Sequence, residues 1–180
     1  MKLNLSIAAG SLKNLNFFSP DNTTTHPMSS KVRQAVFNIL GDISDLSVLD
    51  AYGGSGAFSF EAISRGAKNA LLIENNHVSV SAIKASMSRL NLVNQIKLLP
   101  ISNEAYLRDY EEEFDIVFLD PPYDNLTSNL PSFIPKIVSG GILILSVPIQ
   151  SSDAIKNQFF QLELLKQKKY GKVLILIYKK

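Results

Sequence analysis

The chain predicts an open α/β fold, a mostly parallel sheet closed by an antiparallel hairpin, on three observations. Apolar strands alternate with amphipathic helices from residue 41 to the C-terminus. Those strands are continuous apolar runs, the pattern of a parallel sheet covered on both faces. The last two strands flank a turn too short for a crossover, so they pair antiparallel. A small β-hairpin and a helix precede this alternation. Residues 1–40 therefore read as an N-terminal extension and residues 41–180 as the main domain.

Each element has a local reason. Leu3–Ala8 and Leu15–Phe18 are short alternating runs around Gly10-Ser11, which predicts a hairpin. Residues 19–28 are a loop by composition. Ser29 or Ser30 can cap a helix over Lys31–Leu40, whose Val32, Val36, Phe37 and Leu40 share a face, and Gly41 ends it. Leu46–Tyr52 is a strand running into Gly53-Gly54-Ser55-Gly56, and Ala57–Arg65 is a helix stopped by Gly66. Then come a strand at Ala70–Glu74, a helix at Val78–Leu90, a strand at Ile96–Leu99 and a helix at Glu104–Tyr110. Ile116–Asp120 is a buried strand ending at Pro121-Pro122, followed by a broken helix over Ser128–Val138. Ile142–Val147 is a strand, residues 153–160 a helix, and Leu162–Lys169 with Val173–Tyr178 the closing hairpin over Tyr170-Gly171.

Composition narrows the function classes. Hydrophobic residues are 46% and charged residues 19%, which excludes a disordered chain. With no cysteine there is no disulfide scaffold, thiolate metal site or cysteine nucleophile, and with two histidines a multi-histidine metal site is not expected. The N-terminus lacks the solid apolar block of a secretory signal. No apolar run is long enough for a membrane helix, so a cytoplasmic, metal-free protein is expected. The net charge of +2 hides a division: residues 1–40 carry +3, residues 41–125 carry −7 and residues 126–180 carry +6. Basic ends around an acidic middle suit a polyanionic partner, or are a solvated face.

The loop after the first strand of the main domain, Asp50-Ala51-Tyr52-Gly53-Gly54-Ser55-Gly56, stands where open α/β sheets bind ligands. Glycines let backbone approach a ligand, and the next helix offers uncapped N–H groups and a positive dipole end. Glu74 ends the second strand, 18 residues after Gly56, where an acid can accept hydrogen bonds from both ribose hydroxyls. Together they point to a nucleoside-containing cofactor. The run from Gly54, Gly-Ser-Gly-Ala-Phe-Ser, misses the small final residue of a nicotinamide fingerprint, and no Walker lysine follows.

Phe118-Leu119-Asp120-Pro121-Pro122-Tyr123 ends the fourth strand on the same edge. Two prolines remove two donors and stiffen the chain, leaving Asp120 and the Pro121 carbonyl as fixed acceptors beside the Tyr123 ring. Such a set suits a planar ring bearing an exocyclic –NH2. Gripping both N–H bonds favours a pyramidal nitrogen and the positive charge that develops as it attacks an electrophile.

The Asp-x-x-x-Gly-Ser-Gly element, the acid after the second strand and Asp-Pro-Pro-Tyr resemble an S-adenosylmethionine-dependent amino-methyltransferase, with a Rossmann-like class I methyltransferase fold. More narrowly, the chain resembles the bacterial 16S rRNA guanine-N2 methyltransferases through Ser30–Leu40, Leu49–Ala67, Leu72–Glu74, Asp115–Tyr123 and Tyr170-Gly171. The resemblance implies that Gly53, Gly54, Ser55 and Gly56 line the methionine portion of S-adenosyl-L-methionine, with Asp50 supporting the loop. It implies Glu74 at the ribose, Ser102 or Asn103 near the adenine, and Asp120, Pro121 and Tyr123 around the target guanine. It also implies that the extension and first helix help grip rRNA or a small-subunit particle, with a monomer acting. His26, Lys31 and Arg33 are the candidates to meet phosphates; a loop histidine and a wet helix face are the plain alternatives. Departures fall at His26-Pro27-Met28, where the family usually has Arg-Pro-Thr, at Gly10–Phe18, which has only Lys13 where arginines are common, and at Val147-Pro148, where an acid often closes the fifth strand. Asp-Pro-Pro-Tyr is shared with adenine-N6 enzymes, which keeps that activity as an alternative, as is a catalytically silent RNA-binding assembly factor.

Overall fold

The computed structural model describes residues 1–21, 28–123 and 129–180. The extension is a hairpin of β1 (Lys2–Ser6) and β2 (Asn16–Ser19), then helix α1 (Ser30–Leu40), capped by the Ser29 hydroxyl, which accepts from the Val32 N–H. Alternation follows through β3 (Ser47–Asp50), α2 (Ala57–Ser64), β4 (Asn69–Ile73), α3 (His77–Arg89), β5 (Ile96–Leu99), α4 (Asn103–Asp109) and β6 (Phe114–Leu119). The chain continues into β7 (Ile137–Pro148), α5 (Ser152–Lys156), β8 (Glu163–Tyr170) and β9 (Val173–Lys179).

Three elements differ from the sequence expectation. Residues 130–136 form a 3-10 helix, because Pro135 inside it has no N–H for an α-helical hydrogen bond, while Pro131 sits in the first turn where none is needed. β7 begins five residues before Ile142, at Ile137, and carries Gly140 at a φ of 80° beside an irregular pairing with β6. The helix expected over 153–160 is only α5, flanked by 3-10 turns at Ile149–Ser151 and Asn157–Phe159.

The main sheet runs β5-β4-β3-β6-β7-β9-β8. β5, β4, β3, β6 and β7 are parallel, and β9 pairs antiparallel with both β7 and β8. Alternate side chains face opposite layers. Val48, Ile116, Phe118, Ile144, Ile175 and Ile177 pack with α1, α2 and α3; Leu49, Leu71, Val117, Leu119, Leu143 and Leu145 pack with Tyr106, Phe133, Ile155 and Phe159. Phe58 of α2 stacks between Phe118 (centroids 3.8 Å apart) and Phe37 (4.7 Å), which fastens the first turn of α2 to β6 and to α1. Among the described residues no helix is long and apolar enough to cross a membrane.

The extension shares this core through Ile7 and Phe17. It is latched to α2 by polar groups as well. The Ser64 hydroxyl donates to the Ala9 carbonyl (2.5 Å) and accepts from the Leu12 N–H (2.9 Å), while the Ser64 carbonyl accepts from the Ser11 N–H (2.7 Å). Gly10 makes that approach: a Cβ there would lie 1.8 Å from the Ser64 carbonyl oxygen. The fully buried Glu61 accepts from the Ala8 N–H (2.8 Å), Arg33 Nε (3.3 Å) and Arg65 Nε (2.9 Å). Arg33 also donates to the Ser6 carbonyl at 2.8 Å. This corrects the assignment of Arg33 as a phosphate contact. Its side chain is 3% exposed, because a carboxylate buried in α2 needs cations, and Arg33 meets one of its oxygens while Arg65 meets the other.

Candidate functional site

Sheet order places the site. β3 lies between β4 and β6, the point where successive connections leave in opposite directions, so a crevice opens beyond the carboxyl ends of β3 and β6. The glycine loop follows β3, and Asp-Pro-Pro-Tyr follows β6. The Ala51 N–H donates to the Phe118 carbonyl at 3.1 Å, which ties the two segments together.

Within the loop, the glycines serve different ends. The Gly53 N–H donates to the Ile73 carbonyl at 2.9 Å, and a Cβ on Gly53 would sit 2.2 Å from Leu72 Cδ2, so any side chain here would have to displace the buried Leu72. Gly56, at a φ of 77°, would press a Cβ to 2.8 Å from the Phe60 ring. A Cβ on Gly54, at a φ of 56°, would meet nothing among the described residues nearer than the Tyr52 carbonyl at 3.9 Å. Its outer side is open, and backbone is presented there without a side chain to block it. Among the described residues no side chain caps the first turn of α2. Ser55 is buried in the turn.

Glu74, at the end of β4, reaches back to this loop. One carboxylate oxygen accepts from the Gly54 N–H at 2.7 Å and the other from the Asn76 N–H at 2.8 Å. Asn76 in turn caps α3 by accepting from the N–H groups of Val78 and Ser79. Glu74 is thereby fixed in place, with lone pairs left for further donors.

Asp50 is buried at the end of β3. Its Oδ2 accepts from the Ser59 hydroxyl at 2.8 Å, while its Oδ1 has no partner among the described residues. Burial pushes its carboxyl up to about 7; the Ser59 hydrogen bond opposes this, and the charges of Asp120 and Glu74 add to it. A buried, unpartnered carboxylate oxygen beside an open glycine backbone fits a ligand ammonium group, as an amino-acid tail would carry.

Asp120 is half-buried just beyond β6. Burial raises its carboxyl to about 6, against the lowering effect of hydrogen bonds from Ser146 and Tyr123. The Ser146 hydroxyl lies 2.7 Å from the Tyr123 hydroxyl. Tyr123 itself is pushed up to about 12, by burial first and then by the Asp120 charge. Tyr123 stays 39% exposed, while Pro121 is buried. β6–β7 register makes this triad: Leu119 stands opposite Leu145, so the next residues, Asp120 and Ser146, stand side by side.

Ser146 is the residue that sequence reasoning missed. The only signal was a serine inside the otherwise apolar run Ile142–Val147, and the strand's end drew notice at Val147-Pro148 instead. Beyond β5, Ser102 caps α4 by accepting from the Ala105 N–H at 3.2 Å. The next residue, Asn103, holds a buried Oδ1 without a partner among the described residues. Asn103, Glu74, Asp50 and Asp120 thus follow the ends of β5, β4, β3 and β6 in order. They form a line of about 14 Å at the usual strand spacing, long enough for a nucleoside joined to an amino-acid tail. Of the proposed phosphate contacts, Lys31 is exposed at the start of α1, Arg33 is buried as described, and His26 lies outside the described residues.

Residues 5–179 match the family described as "Conserved hypothetical protein 95". The chain is 28% identical over 123 residues to "Putative rRNA methyltransferase YlbH" of Bacillus subtilis, covering 66% of this chain and 67% of that protein. It is 32% identical over 105 residues to "Ribosomal RNA small subunit methyltransferase D" of Escherichia coli, covering 58% of this chain and 52% of that protein. The aligned stretches thus span between about half and two thirds of these relatives. Among solved structures, "Putative methyltransferase yhhF from Escherichia coli" superposes with a TM-score of 0.83 at 22% identity, covering 98% of this chain and 97% of that one. A second, "SMU.776, a putative methyltransferase complexed with SAH", gives 0.69 at 15% identity, covering 83% of this chain and 48% of that one. At these identities the likeness establishes the Rossmann-like class I methyltransferase fold.

Proposed function

The chain belongs to the Conserved hypothetical protein 95 family, and from that premise we propose that it methylates the exocyclic N2 amine of a guanine in 16S rRNA, using S-adenosyl-L-methionine. The observation that carries this reading is one adjacency. A buried carboxylate beside the glycine loop, one of its oxygens without a partner among the described residues, and the Asp120–Ser146–Tyr123 triad follow neighbouring strands, β3 and β6.

When bound, S-adenosylmethionine supplies an electrophilic methyl group on a sulfonium. Asp50 Oδ1 would receive its ammonium, the Gly53–Gly56 backbone would border the methionine portion, Glu74 would accept from the ribose and Ser102-Asn103 would meet the adenine. Across the crevice, Asp120 and the Pro121 carbonyl accept the two N–H bonds of the guanine amine. The Tyr123 ring stacks on the base, contributing about 1–3 kcal/mol. Withdrawal of the base from its own stack costs a few kcal/mol, which this binding offsets. An amine nitrogen that took up this methyl group would become positive and shed one proton. A carboxylate poised at about 6 accepts it near neutral pH. Residues 1–40, with Lys31, contact RNA and residues 41–180 carry the transfer. The working form is a cytoplasmic monomer acting on rRNA or a small-subunit particle.

The test is methyl transfer from labelled S-adenosylmethionine to small-subunit particles that lack the modification, followed by digestion to nucleosides. Label in N2-methylguanosine is expected. Label in N6-methyladenosine would replace the reading with the adenine-N6 one. Absence of any labelled nucleoside, with cofactor binding intact, would leave a silent RNA-binding protein.

A further inference from the structure

The C-terminal hairpin carries a charge pattern that the crevice does not use. Four of the seven residues 166–172 are lysines, Lys166, Lys168, Lys169 and Lys172, and none is acidic. All four are exposed, and none has an ion pair or side-chain hydrogen bond among the described residues. Register sets where they stand. Ser146 of β7 is opposite Ile175 of β9, and Ile175 is opposite Lys168 of β8. Asp120, Ser146, Ile175 and Lys168 therefore form one row across the sheet. Lys168 lies three strand spacings from Asp120, about 14 Å. The next row holds Val147, Leu174 and Lys169. The hairpin tip is pinned to this same edge, since the Ile149 N–H donates to the Lys172 carbonyl at 3.1 Å. The acidic run Glu111–Glu113 precedes β6 and so lies at the opposite edge of the sheet.

We propose that the β8–β9 hairpin is a phosphate-binding rail, on which Lys168, Lys169 and Lys172 hold the RNA strand flanking the base presented to Asp120. The inference rests on the reading of the protein as an RNA methyltransferase and extends it to a specific surface. A span of about 14 Å is about four nucleotides of a helical strand, so the segment next to a flipped base reaches the rail without strain. Charge complementarity favours a polyanion here. Lysines on an edge strand also deter strand-to-strand pairing. On this edge, though, the part that would need such protection is the other end of β8, where Leu164 is 42% and Leu165 47% exposed. The lysines are concentrated away from it, toward the crevice. With Arg33 buried against Glu61, the extension has fewer cations to offer than its sequence suggests, which moves the burden of phosphate contact to this hairpin.

The experiment compares the wild-type chain with the triple variant Lys168→Gln/Lys169→Gln/Lys172→Gln and with the matching triple arginine variant. Three quantities are read: affinity for a small-subunit rRNA transcript across a salt series, KM and kcat for methyl transfer, and cofactor affinity by calorimetry. The glutamine triple is expected to bind RNA at least tenfold more weakly near 0.1 M salt. Its log–log salt slope should be shallower by about two to three, at ~0.7–0.9 per lost phosphate contact. KM should rise with kcat and cofactor affinity unchanged, and the arginine triple should match wild type. Unchanged affinity and slope in the glutamine triple overturn the rail, even if wild type methylates RNA normally. Self-association of the glutamine triple in light scattering, with its monomer binding RNA as wild type does, overturns it too and leaves the lysines as edge guards. If wild type itself transfers no methyl to RNA yet binds it through these lysines, the methyltransferase reading fails and the rail survives.

Discussion

Replacing Ser146 by alanine removes one oxygen atom from a site where two functional groups share it. The hydroxyl is 1% exposed, lies 2.7 Å from the Tyr123 hydroxyl and stabilises the charged form of Asp120. A hydrogen bond to a charged group is worth about 1.5–3 kcal/mol, which converts to a loss of about 10- to 150-fold in kcat/KM if it is expressed in the transition state. The sign of the pH effect follows from the same bond. Asp120 must be ionised to accept the amine's proton, so activity is present above its carboxyl value and lost as pH falls through about 6. Without the Ser146 donor the charged form is less favoured, so the acid limb of the kcat/KM profile moves to higher pH. Cofactor affinity stays as in wild type, because Ser146 lies on the base side of the crevice. The assay is the pH dependence of methyl transfer, with calorimetry on the cofactor as the control. A variant within twofold of wild type at neutral pH, with its acid limb unmoved, would refute the role assigned to Ser146 and with it the triad.

Asp50→Asn should move stability and binding in opposite directions. The folded-state carboxyl stands at about 7, above its unfolded value, so its stabilising protonated form is lost as pH rises from about 4 to about 7. At pH 8 the unliganded variant should therefore melt higher than wild type, with on the order of 4 kcal/mol available as an upper bound, while S-adenosylmethionine affinity falls; equal affinity would reject the ammonium assignment. Gly53→Ala and Gly54→Ala should separate packing from ligand approach. The first drives a Cβ to 2.2 Å from Leu72 Cδ2 and should cost about 1–3 kcal/mol in denaturant unfolding. The second meets open space on the folded side, costs only about 1–2 kcal/mol of left-handed strain, and should lose cofactor affinity in calorimetry out of proportion to its melting shift. Glu61→Gln strands Arg33 in the core and should destabilise by about 3–5 kcal/mol; a loss below about 1 kcal/mol by urea titration would show that the Arg33–Glu61–Arg65 cluster does not hold the extension to α2.

Local physics made much of this protein readable before any coordinates. A parallel strand buried on both faces must be an apolar run, so Ser47–Asp50, Asn69–Ile73 and Phe114–Leu119 stand out within a residue or two of their ends. Glycines after the first of these strands, an acid after the second and a proline pair after the third are short-range signals. They fall on one edge of the sheet because parallel strands all end on the same side. Helix caps and stops behave the same way, as at Ser29 and Gly41. Prolines 131 and 135 were visible too, but whether they break a helix or tighten it into a 3-10 turn depends on what covers it.

What the residue string could not disclose are the partnerships made at long range. Arg33 and Lys31 look alike as cations two positions apart on one helix. One is buried and the other exposed, because Glu61, 28 residues further along the chain, comes to rest beneath the first. Ser146 joins Asp120 only through the register of β6 with β7, and Lys168 joins the same row only through β9 inserted between them. Register and strand order are settled by the packing of whole layers, since a slip of one residue would send every side chain of a strand to the opposite layer. Composition and spacing carry the chemistry of each group, and the folded sheet alone sets its distance from the next.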